Sequence, residues 1–260
     1  IVPPSASGGW SSEIVVEDGA VIVPPTRSEL VAPAGVLSAR GADVFHGATW
    51  RNKRRQNVPP EMPSDTLPLR EGTWLWGGVL WQTFSHFITE SLARLWALDA
   101  ASAQACQGVL FMPRRPAEGQ GLRGFHADTF AALGIDLPVH LVETPCRVER
   151  LVVPGQGFGL GEIAAGTPEM RQFMQRFGRE VPAEGSPRLY ISRSGLGPNR
   201  GGLLGEVALE MHLAAQGYEI FHPQAHDLST QIARYKAASH VIAVDGSALP
   251  TDPRDDRGGG

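Results

Sequence analysis

The first seventy residues carry short apolar runs rather than one long period. Two β-branched stretches, 13–17 and 20–23, are broken by Asp18-Gly19 and by Pro24-Pro25, which predicts brief strands joined by tight turns. A third strand is predicted over 44–50, a Pro-rich loop over 58–68, and an aromatic strand over 72–76 ending at Gly77-Gly78. The period then changes. Phe84, Ile88, Leu92 and Leu95 recur at helical spacing, so 80–98 is predicted as an amphipathic helix. Beyond it the pattern predicts a strand at 108–112, a helix at 122–133, strands at 139–142 and 148–153, and a helix at 168–178.

From Arg188 the alternation is regular. A strand over 188–192 leads to a helix over 203–215 closed by Gly217, then a strand over 218–221. A helix over 228–238 follows, with Asp227 as N-cap, and a strand over 240–244 opens into Asp245-Gly246-Ser247. Strand–helix–strand–helix–strand is half of a doubly wound parallel sheet, whose ligands bind at the carboxyl ends of the strands. Those ends are Ser192-Arg193, His222-Pro223 and the Asp245 turn. The segment 251–260 has no apolar residue and is expected to be a disordered tail.

Composition narrows the classes. The chain has 260 residues, 42% of them hydrophobic, enough for one large domain or two small ones, and a net charge of −4 gives no footprint for nucleic acid. The run Arg51-Asn52-Lys53-Arg54-Arg55 reads as a solvated turn. Cys106 and Cys146 form no CxxC pair, and His212, His222 and His226 show no metal-ligand spacing, so no metal site is expected. No apolar run reaches the roughly 18 to 20 residues that span a bilayer. A cytoplasmic protein without a membrane span is the expectation. The glycines of 155–161 never give GxGxxG, which argues against a dinucleotide oxidoreductase, and no GxSxG elbow occurs.

Three constellations carry candidate chemistry. His86, Glu90 and Arg94 stand at successive steps of four, so on an α-helix they share a stripe roughly 80° wide, away from the apolar face. The stripe is either a solvent-facing polar side with a Glu90–Arg94 ion pair or the wall of a cleft, where a carboxylate or imidazole takes a hydroxyl proton. Arg193 follows a buried strand and opens a Gly-rich loop that ends at Arg200, a pairing suited to a diphosphate. Asp245-Gly246-Ser247 would offer backbone N–H groups to a phosphate if a helix followed it.

Together these segments resemble glycosyltransferase family 61, which contains bacterial capsular-polysaccharide transferases. The likeness rests on His86-Phe87-Ile88-Thr89-Glu90 with Leu92-Ala93-Arg94-Leu95, on Leu189-Tyr190-Ile191-Ser192-Arg193 with Arg200 and Glu206, and on the run from Gly217 to Leu249. The resemblance implies a GT-B-like α/β fold: two Rossmann-like domains facing across a cleft, here an acceptor-side domain over 1–153, a linker and connecting helix over 154–187, and a nucleotide-sugar-binding half over 188–249. It further implies inverting transfer, by a hexosyl- or pentosyltransferase without a bound metal or other cofactor, from a nucleotide sugar such as a UDP-sugar to a glycan or polysaccharide acceptor. His86 or Glu90 would be the base with Arg94 orienting it. Arg193, Arg200, Gly246 and Ser247 would bind the donor diphosphate, with Glu206 and Asp245 also in the donor site. Family members usually continue past the Gly-Ser turn, whereas Pro250 and a polar tail follow here. A truncated product with an incomplete C-terminal domain is therefore expected, and a catalytically inactive remnant or nucleotide- or glycan-binding module of the same fold is the alternative.

Overall fold

A computed structural model describes residues 9–29, 31–51, 54–116, 121–159, 165–197 and 202–244. The chain divides into two compact units, one formed by 1–127 with 135–174, the other by 128–134 with 175–260.

The first unit is built on a mixed sheet. Its strands run in the order Val139–Leu141, Cys106–Pro113, Leu69–Leu80, Cys146–Pro154, Val21–Val23 and Gly35–Leu37, and Ile14–Asp18 also pairs with Cys146–Pro154. The first four are mutually parallel. The two N-terminal β-branched runs lie antiparallel along the outer edge of Cys146–Pro154, joined through Gly19 at φ 67°. Parallel strands are buried on both faces, which explains why Cys106–Pro113 reads as a nearly unbroken apolar run rather than an alternating one. Trp76, Leu110, Met112, Val148, Leu151 and Val153 form much of the core.

The aromatic strand is far longer than 72–76. It spans Leu69–Leu80 and runs straight through Gly77-Gly78. The glycines do not end the strand; they make a bulge in it, because the register shifts between Trp76 and Gly78. At Gly77 a Cβ would sit 2.5 Å from the Phe111 ring, and Gly78 has φ 92°. Close approach and a left-handed turn both demand glycine there.

The helix predicted over 80–98 is two elements. Residues Phe84–Glu90 are α-helical, and Ser91–Asp99 tighten into a 3₁₀ helix. Ile88, Leu92 and Leu95 of the apolar period are buried and Phe84 is half-buried, and the helix Pro168–Met174, which buries Met170 and Phe173, packs on this segment. The segment predicted as a strand over 44–50 is instead a 3₁₀ turn at Phe45–Gly47 followed by the short strand Trp50–Arg51.

The second unit holds three parallel strands in the order Glu219–Phe221, Arg188–Ile191, His240–Ala243. Helices Glu206–Ala215 and Leu228–Ala237 make the crossovers, as the alternation predicts. Leu189, Ile191, Phe221, Tyr235 and Ala238 form its core. Asp227 is the N-cap: its carboxylate accepts from the Thr230 N–H at 2.7 Å. Gly217, at φ 82°, closes the preceding helix. The predicted tail and the turn at 245–247 lie outside the described residues. Among those described, no helix is long and apolar enough to cross a membrane.

Candidate active site

In the parallel part of the first sheet the chain moves outward from Leu69–Leu80 through Cys106–Pro113 to Val139–Leu141. It then returns to the other side of Leu69–Leu80 with Cys146–Pro154. The reversal makes the carboxyl end of Leu69–Leu80 a topological switch point, the usual ligand position in an open α/β sheet. Trp81 follows that end directly, and three residues later the helix bearing His86 begins.

His86 stacks on Trp81 with ring centroids 4.6 Å apart and planes 24° from parallel. Its Nδ1 lies 2.6 Å from Oε1 of Glu90, one helical turn on. Glu90 is buried, and it is also gripped by Arg51: Nε donates to Oε2 at 3.2 Å, and Nη2 pairs with Oε1. The carboxylate accepts from the guanidinium on both oxygens, and a proton on Nδ1 of His86 would be donated to Oε1. That tautomer leaves Nε2 with its lone pair. The side chain of His86 is 37% exposed while that of Glu90 is 2% exposed, so only the imidazole presents itself to a substrate.

Arg51 belongs to the run read as a solvated turn, and that reading is corrected here for its first residue. No local pattern marks Arg51, because the carboxylate it grips, at the last residue of the His86 helix, is 39 residues away. Arg55, of the same run, makes a two-pronged pair with Asp43, both distances 2.6 Å.

Arg94 is placed differently from the stripe reading. Once the segment tightens to three residues per turn, a step of four advances by about 120° rather than 40°, carrying Arg94 off the Glu90 face. It is 2% exposed, neither a solvent-facing partner of Glu90 nor an orienting group for it. Its Nη2 donates to the carbonyls of His46, at 2.9 Å, and Ala48. Burial lowers its pKa to about 10, still leaving it charged at neutral pH. The space above Gly78 makes room for it: a Cβ there would come 3.2 Å from Nη1. Arg94 thus anchors the segment that delivers Arg51.

Other residues absent from the sequence reading fix the site. Gln156, just past the end of Cys146–Pro154 and 1% exposed, clamps the backbone of Trp50. Its Oε1 accepts from the N–H, and its Nε2 donates to the carbonyl, both at 3.0 Å. The Trp81 N–H donates to Ser91 Oγ at 3.0 Å, and the buried His126 approaches the Trp81 carbonyl with Nε2 at 3.0 Å while its Nδ1 accepts from the Arg123 N–H. Burial holds His126 below the usual imidazole range, so it stays neutral.

In the second unit the strand order again reverses at one strand, Arg188–Ile191, and its carboxyl end is Ser192-Arg193. Arg193 is half-buried and its backbone N–H donates to Glu206 Oε1 at 2.9 Å. Glu206, at the first turn of its helix and 4% exposed, also accepts from the Tyr190 hydroxyl at 2.9 Å. Its carboxylate braces the turn from within. Burial, helped by Glu206, pushes the Tyr190 hydroxyl up to about 12. Glu210 accepts from the hydroxyls of Ser192 and Ser194, each at 2.5 Å. Arg200, Asp245, Gly246 and Ser247 lie outside the described residues. The structure therefore brings His86 and Glu90 together in one unit and Arg193 and Glu206 together in the other.

The sequence profile of glycosyltransferase 61 matches residues 84–251, from the start of the His86 helix past the last strand of the second unit. The chain belongs to glycosyltransferase family 61. Its glycosyltransferase domain is that of a sugar transferase, with a sugar donor and an acceptor as substrates. Arg51 and Trp81 precede the segment that matches the family. No individual curated protein matches the chain.

Proposed function

We propose that this family 61 member is an inverting transferase with a GT-B-like plan. The first unit activates the acceptor hydroxyl, and the second holds the nucleotide-sugar donor. His86 is the base and Glu90 its orienting partner. The supporting observation is the 2.6 Å contact of His86 Nδ1 with a carboxylate too buried to meet substrate. In the proposed reaction Nε2 takes the proton of a glycan hydroxyl. The oxygen bonds to the anomeric carbon from the face opposite the leaving group, and the bond to the nucleoside diphosphate breaks. The departing charge is met by Arg193, with Arg200 and the N–H groups at Gly246-Ser247 as its expected companions, so that no metal ion is required.

A panel of nucleotide sugars tests this. A donor that binds only the native chain raises its melting point, and the free nucleoside diphosphate appears when an acceptor is present. Arg193→Ala should weaken UDP binding by about tenfold or more, the value of a charge-assisted contact. A panel that leaves the melting point flat defeats the reading. Binding without turnover leaves a nucleotide-binding module of the same fold.

A further inference from the structure

Helix Glu206–Ala215 inverts the usual arrangement of a surface helix. Its two carboxylates turn toward the strand end, where Glu206 accepts from the Tyr190 hydroxyl and Glu210 from the hydroxyls of Ser192 and Ser194. Glu206 is buried, and the side chain of Glu210 is only 15% exposed. The large apolar residues do the opposite: Val207 is 60% and Met211 72% exposed. Steps of four and three carry their stripe on to Ala214, which is also exposed. Leu203 and Leu204 extend it past the start of the helix. Leu204 stands just before the N-cap Gly205, a position whose apolar side chain often folds back on the first turn, yet here it is 100% exposed. Surface helices normally keep their charge outside, so an uncharged outward stripe marks an interface.

The stripe's own chemistry selects the partner. From Leu203 to Gly217 the sequence holds no lysine or arginine, and Glu206 and Glu210 are engaged inward, so two such stripes meet without like charges. A helix that lies on a bilayer carries basic residues on its polar face, and this one has none. Bulk also falls along the stripe, from Leu203 and Leu204 through Val207 and Met211 to Ala214 and Ala215. Two copies set antiparallel about a two-fold axis near Leu209 would lay each copy's leucines over the other's alanines. Val207 of one would then meet Met211 of the other. Large against small is the interdigitation that close helix packing needs, and the match is self-complementary, as a two-fold interface requires. Each copy brings on the order of 500 Å² of apolar surface, so pairing removes about 1,000 Å² from water, the lower limit for a specific interface.

We propose that a second copy of this chain covers the stripe, in a two-fold dimer with these helices antiparallel. The dimer stands or falls independently of the transferase reading. Sedimentation of the full chain across a concentration series tests it: monomer should give way to dimer with a Kd in the micromolar range, as befits a small interface. Met211→Glu buries a carboxylate near the axis and should weaken pairing at least about tenfold. The position is exposed in the monomer, so the melting temperature in dilute solution should stay within about 2 °C. Val207→Lys should weaken pairing alike, and mixing the V207K and M211E chains should restore dimers, because the antiparallel register sets 207 against 211. A wild-type chain still monomeric at about 100 μM, undiminished pairing of the M211E chain, or a mixture that stays monomeric overturns the proposal. So does wild-type binding to phosphatidylcholine vesicles that Met211→Glu abolishes, since the stripe would then be a membrane face.

Discussion

The imidazole of His86 reaches Glu90 across one helical turn, Nδ1 to Oε1 at 2.6 Å, while Arg51 closes on the same carboxylate from another strand. Three residues from two parts of the chain thus form one cluster, in which the carboxylate is buried and the imidazole is the most exposed member. The order of action follows from burial: the guanidinium fixes the carboxylate, the carboxylate fixes the ring, and the ring meets the substrate.

His86→Gln removes the base while keeping a hydrogen-bond donor toward Glu90. Turnover should fall about 10²- to 10⁴-fold, the usual worth of a positioned general base, with little change in melting temperature. Steady-state kinetics beside a thermal scan separates the two effects. Retention of near-native kcat would remove His86 from the chemistry.

Arg51→Met leaves a buried carboxylate facing only His86. Breaking such a pair costs about 3 to 5 kcal/mol when no substitute exists; here the imidazole can protonate in its place, so the lower end, about 3 kcal/mol, is expected in denaturant unfolding. Loss of the guanidinium also frees the carboxylate that orients the imidazole, so kcat should fall with KM little changed. A variant with wild-type kcat would show that Arg51 does not act on the base.

Glu210 gives a pH test in the second unit. Burial disfavours its charge, but hydrogen bonds from Ser192 and Ser194 and the nearby His222 outweigh that and hold the carboxyl below its ordinary range. An acid with a depressed native pKa stabilises fully above its unfolded value, about 4.3, and loses that contribution as pH falls through the native value. Melting curves taken toward acid should therefore decline more steeply for the wild type than for Glu210→Gln. Parallel curves would contradict the hydrogen-bonding assignment.

Gly77→Ala probes the bulge. The added methyl would stand 2.5 Å from the Phe111 ring, which is fully buried and cannot move aside. Overpacking of this kind costs about 1 to 3 kcal/mol, and Phe111→Leu in the same chain should recover part of it. A melting temperature untouched by the alanine would mean the strand can shift there.

Much of this architecture was legible because it follows period. The alternation after Arg188 predicts all three parallel strands and both helices, and the Asp227 cap is a local signal readable without the fold. The His86–Glu90 spacing likewise places the two groups on one face. The tightening after Glu90 was not legible, since Ser91–Asp99 has the same apolar pattern an α-helix would show, and its turn is set by packing rather than propensity. Arg51 and Gln156 could not be found by local pattern, for their roles depend on contacts 39 and 106 residues away. Gly77-Gly78 misled because glycine marks both strand ends and bulges.

Gln156 grips residue 50 only through main-chain atoms. The indole at that position is therefore replaceable as far as this grip is concerned, but the spacing is not. Inserting a single residue between 50 and 51 would reverse which way the next side chain points, as any one-residue slip does in extended chain. Natural variation at these two positions should thus appear as exchanges of side chain at constant length.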